Sequence, residues 1–149
     1  MPQYKYHLSY NFTSFNIKGS RILRPIIPVI LQYGNNSPIA MTMLLDSGAD
    51  YSLVSKDVGR SLGIDVDKDA NSNVQGVSGV ADALEEKVEI EFGMGHKYTF
   101  KKEITIHITK KNGYPSIPLL GREPIFKEFD IHFRLGLEES KRKFVLDKL

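Results

Sequence analysis

The sequence has 149 residues, 41% of them hydrophobic and 26% charged, with a formal net charge of +2 and no cysteine. That length fits one domain with a real hydrophobic core. The small net charge, without a basic stripe interleaved with aromatics, argues against nucleic acid as a partner, and the missing cysteines exclude disulfides, thiolate catalysis and zinc–thiolate sites.

From the N-terminus, "MPQYKYHLSYNF" alternates with a period of two. Tyr4, Tyr6, Leu8, Tyr10 and Phe12 share one face, and Lys5, His7, Ser9 and Asn11 the other. This is a strand pattern, with the aromatic stripe expected in a core or an interface, and not a secretory signal. The longest apolar stretch, "PIIPVILQY", is too short to span a bilayer and holds two prolines. The expectation is a soluble, cytoplasmic protein with no membrane partner.

The next segment, "MTMLLDSGAD", drives a mostly apolar strand straight into an acid, a hydroxyl and a glycine. Asp-Ser-Gly is good turn material, and a plain turn is one reading. The other is that Asp46 is held at the end of a rigid strand to act as acid or base, which needs a fixed position and partial burial. On that reading Gly48 lets the backbone turn sharply and approach the carboxylate, and Ser47 locks the loop. "SKDVGRSLG" follows as about two turns of helix, with Ser55 as N-cap and Gly63 as the stop. "DVDKDANSNVQG" mimics a calcium loop, but Ala70 stands at the sixth position and Gly76 at the twelfth, so no calcium site is expected.

"NVQGVSGVA" reads as a glycine hairpin around Gly76 and Gly79, either a plain turn or a mobile cover over a ligand. It is no nucleophile elbow, because Val80 occupies a required glycine position. Val88, Ile90 and Phe92 then alternate with Glu89 and Glu91, and Ile104, Ile106 and Ile108 with Thr105, His107 and Thr109. "SIPLLGREP" is a second apolar strand ending in glycine, and "REPIFKEF" a second short helix with Pro124 in its first turn. Ile131, Phe133 and Leu135 form another alternating strand, with a return strand near Phe144 and Leu146. Turn signals ("YGNNSP", "GMGHK", "KKNGYP", "GLEES") punctuate the rest, and the four histidines are expected at surface positions. Lys141, Arg142 and Lys143, beside Glu138 and Glu139, read as a solvated turn. Many short strands and little helix indicate an all-β domain, a sandwich or a closed barrel.

On these residues the chain resembles the retropepsin-like (retroviral-type) aspartic proteases, and is more similar to their microbial single-domain members than to the viral enzymes. The resemblance spans residues 25–133 and includes Asp46-Ser47-Gly48-Ala49, the helix after it, the glycine hairpin and Leu119-Leu120-Gly121-Arg122. It implies a closed β-barrel with one or two short helices, residues 1–149 forming a single domain. Within that domain, residues 1–22 are an N-terminal extension or strand pair that forms extra sheet, helps a dimer or occludes the cleft. It further implies a homodimeric endopeptidase in which each subunit supplies one Asp46 to a shared site, with peptide or protein substrates and no cofactor or metal. Ser47, Gly48 and Ala49 would shape the active-site loop, Gly76, Val77, Ser78 and Gly79 the flap, and Asp50 and Arg122 a structural ion pair. The alternative is a noncatalytic dimeric peptide-binding module on the same fold.

Overall fold

The computed structural model describes residues 7–76, 79–136 and 138–149. Strands account for 54% of the described residues, which places the protein in the all-β class. In order they are β1 (His7–Asn11), β2 (Thr13–Ile17), β3 (Ser20–Arg24), β4 (Ile26–Gln32), β5 (Ile39–Leu45) and β6 (Ser52–Val54), then helix α1 (Lys56–Ser61). There follow β7 (Ser72–Gly76), β8 (Gly79–Phe92), β9 (Phe100–Thr109), β10 (Leu119–Leu120), β11 (Phe129–Arg134) and β12 (Lys143–Lys148).

Six of these strands close on themselves in the order β4-β5-β10-β6-β9-β8, the last pairing back to β4. Closure removes sheet edges that would otherwise offer unpaired backbone groups to a passing chain. Two pairings are parallel, β5 with β10 and β6 with β9, and the others antiparallel. The period-two pattern decides what fills the interior. Val88, Ile90 and Phe92 point inward from β8, and Ile104, Ile106 and Ile108 from β9, all buried. Burying such side chains contributes about 1.5–3 kcal/mol each relative to exposure.

β8 runs on past the barrel, and its first residues pair with β7 from Ser72–Ala83 to Gly76–Gly79. The glycine hairpin is therefore an arm bound to one neighbour. Outside the barrel, β1, β12 and β11 form a three-stranded sheet. Leu8 on β1 and Phe144 on β12 are buried, and Phe12 packs edge-on to Phe144 at 5.3 Å, so the aromatic stripe is core from residue 8 onward. Tyr4 and Tyr6 lie outside the described residues. β2 and β3 form a separate two-stranded hairpin.

Helix α1 follows the sequence closely. The Ser55 hydroxyl accepts from the Val58 N–H, and Gly63 at φ +84° ends the helix where a side chain would be strained. Two expectations need refinement. The apolar strand in "SIPLLGREP" shrinks to Leu119–Leu120, because Pro118 has no N–H to donate to a ladder. The helix in "REPIFKEF" is short and kinked: Arg122–Phe126 runs on into helical Lys127 and Glu128, and the break is at Glu123, which precedes a proline and is extended (φ −94°, ψ 127°). Among the described residues no helix is long and apolar enough to cross a membrane.

Candidate active site

Period two also explains where Asp46 points. Leu45 is the last inward residue of β5, so the next side chain faces out of the barrel, and Asp46 is half-buried there. Its backbone is fixed from the neighbouring strand. Leu44 N–H donates to the Pro118 carbonyl at 2.8 Å, and Asp46 N–H to the Leu120 carbonyl at 3.0 Å. Its carboxylate is fixed from its own loop, where Oδ1 accepts the Gly48 N–H at 2.9 Å. A carboxylate held by a backbone amide two residues on keeps one oxygen oriented without needing a charged partner.

The loop after β10 is stitched to this one by main-chain bonds. Arg122 N–H donates to the Ala49 carbonyl at 2.8 Å and Glu123 N–H to the Asp50 carbonyl at 3.0 Å. Gly121 makes this approach possible. A Cβ there would stand 2.3 Å from the Tyr51 carbonyl oxygen and 2.8 Å from that of Ala49. The Gly121 N–H donates to the hydroxyl of fully buried Ser52 at 3.2 Å. The sequence reading passed over Ser52; its only signal was a hydroxyl at the start of a three-residue apolar strand.

Arg122 donates to the Asp50 carboxylate. Both side chains are more than half exposed in the single chain, 56% and 65%, so there the pair contributes about 0–1 kcal/mol. Ser47 and Gly48 are exposed at the loop's crest, and Ala49 is half-buried.

A cleft of about 460 Å³ lies over the loop. Asp46, Gly48 and Ala49 border it on one side, Val74, Gln75 and Gly76 of the hairpin on the other, and Leu53 and Leu119 along its apolar floor. Gly76 is thus brought opposite Asp46, with Tyr114 beside it. Gly79 pairs with Gly76 across the hairpin and does not border the cleft. Val77 and Ser78 lie outside the described residues. Among the described residues no group of three His, Asp or Glu side chains could hold a metal ion.

Of the four histidines, His7 and His132 are exposed as expected, and His96 and His107 are not. His96 is half-buried, its Nε2 2.8 Å from the Ser9 carbonyl oxygen, and so covers the outer edge of β1. His107 is 4% exposed, under the ring of Tyr51 at 4.7 Å between centroids. Burial pushes its pKa below the ordinary 6.5, while the nearby Glu85 carboxylate opposes the shift.

The fold is that of the retropepsin-like aspartic proteases. The aspartyl protease family model matches residues 29–123, and the chain belongs to that family. Among solved structures, a retropepsin-like aspartic protease from Rickettsia conorii is similar with a TM-score of 0.60 at 19% identity, covering 95% of this chain and 98% of that one. EIAV protease complexed with the inhibitor HBY-793 aligns at 22% identity over 77% of this chain and 93% of that one, with a TM-score of 0.48. No curated protein matches the chain.

Two outcomes follow from this geometry. Gly121→Ala forces two backbones apart, and urea unfolding should show a loss of about 3 kcal/mol, the upper end of overpacking costs. His107 should make the fold acid-sensitive. The unfolded imidazole takes a proton near 6.5 and the folded one only at lower pH, so its contribution is complete above 6.5 and is lost as pH falls below it. Melting temperature against pH should therefore be flatter below about 6.5 in His107→Leu than in wild type.

Proposed function

We propose that the chain is an aspartic endopeptidase acting as a homodimer, with water activated between two Asp46 carboxyls, one from each subunit. The observation that carries this reading is Asp46 itself. It is held by Leu120 and Gly48 at the end of a barrel strand and faced by a glycine hairpin across a cleft sized for an extended peptide. Membership of the aspartyl protease family supports the same chemistry.

Asp-Ser-Gly occurs once in the chain, and one carboxyl cannot serve as both base and acid. Two carboxyls close together share one proton, because both cannot ionise side by side. The ionised Asp46 takes a proton from water as its oxygen attacks the peptide carbonyl carbon, and the protonated partner donates to the carbonyl oxygen. Collapse of the tetrahedral intermediate breaks the C–N bond, the amine leaves with a proton from the dyad, and no acyl-enzyme forms. In this mechanism Ser47 ties the two loops across the dimer axis and the Gly48 carbonyl receives the substrate backbone. Gly76, Val77, Ser78 and Gly79 close over the peptide. The Asp50–Arg122 pair braces the loop.

The test is Asp46→Asn, which keeps the shape and removes the titrating group. Cleavage of denatured casein at mildly acidic pH should fall by about 10²–10⁴-fold, the range of acid–base catalysis, while sedimentation equilibrium still gives a dimer. A wild-type monomer at micromolar concentration, or undiminished cleavage by the variant, overturns the reading. A dimer that binds peptide and cuts none is the noncatalytic module instead.

A further inference from the structure

The outer surface of the barrel carries a row of side chains for which the mechanism above has no use. Leu119, Leu53, His107 and Glu85 occupy paired positions on β10, β6, β9 and β8. The first two form the floor of the cleft. His107 pairs with Leu53 on the next strand, and the ring of Tyr51 packs on its buried imidazole, tilted 44° against it. Tyr51 is 50% exposed. It borders the cleft beside Asp50 and also two neighbouring hollows, so open space surrounds it.

A neutral imidazole suits this place. Its Nδ1 is buried with no hydrogen-bond partner among the described residues, a cost that is smaller for a neutral ring than for a charged one. Protonation puts a hydrogen on both ring nitrogens, and Nδ1 becomes a charged donor facing nothing. The charged and titratable groups around it are few. Glu85 faces it from β8, and Glu103 and Glu123 border the hollow on the far side of Tyr51. Asp50 precedes Tyr51 in the chain and is paired with Arg122. Attraction to Glu85 and to the aromatic face offsets part of the lost hydration of the charge, but neither supplies an acceptor to Nδ1. Burial lowers the imidazole pKa despite Glu85, in keeping with that balance. Water reaches Nδ1 at least cost if the Tyr51 ring swings away, since β9 is locked into the barrel and the ring is not.

We propose that Tyr51 is a pH-dependent wall of the peptide cleft, held down by neutral His107 and released when His107 takes a proton, so that acid changes which peptide side chain fits beside Asp50 without moving Asp46. This rests on the reading of the cleft as a peptidase site, but the motion itself does not.

The chain contains no tryptophan, so Tyr51→Trp places a single indole on the imidazole. Its emission in the full chain, followed from about pH 8 to about pH 4, should change in one single-proton step below about 6.5. That step should vanish when His107→Leu or His107→Gln is added. Emission that is flat, or that titrates equally with His107 replaced, overturns the proposal. A second measurement uses labelled casein. His107→Gln should abolish a low-pH step in KM while leaving the pH profile of kcat in place, and a KM profile identical to wild type also overturns it. If Asp46→Asn cuts normally, the peptidase reading fails while the fluorescence step still decides the motion.

Discussion

The parallel contact between β5 and β10 is the constraint on which the site depends. Two strands from distant parts of the chain end side by side, Leu44 against Leu119 and Leu45 against Leu120, and both then turn outward. The turns can lie this close only because Gly121 has no side chain to interpose. Besides the Asp50–Arg122 pair, the bonds that join them are main chain to main chain, so the position of Asp46 is set largely by backbone geometry. A reacting carboxylate gains from this arrangement, since placement errors of an ångström are enough to lose most of the benefit of orientation.

The barrel and the hairpin divide rigidity between them. Every strand of the barrel has two neighbours, and its interior is filled by Ile, Val, Leu and Phe. β7 has β8 alone, and its exposed residues contribute little to any core. Local opening free energies follow buried contact and protected hydrogen bonds, so the hairpin can move on a support that does not.

Much of this was legible in the sequence because it depends on local rules. Strict alternation located β8, β9 and β11, and Ser55 and Gly63 marked the ends of α1. An apolar strand breaking into Asp-Ser-Gly identified Asp46 as the residue to explain. What escaped depended on partners far along the chain. The apolar look of residues 116–120 hid the effect of Pro118, which has no N–H to give, so that the strand is confined to Leu119 and Leu120. His107 sits on the polar side of its strand, and period alone cannot say that a tyrosine from another loop covers it. Ser52 looks like any strand serine until Gly121 is seen to donate to it.

The pairing of the first and last described strands has a consequence for how the protein is made. β1 and β12 match residue for residue, from His7 with Asp147 to Asn11 with Lys143, and the Asp147 carboxylate accepts from His7 Nδ1 at 2.6 Å. Closing a loop that spans nearly the whole chain is entropically costly and slow compared with local contacts. Phe144, which stacks on Tyr10 at 5.3 Å and meets Phe12 edge-on, is made after every strand of the barrel. The aromatic layer behind the barrel is therefore completed only once the barrel strands themselves have been synthesised.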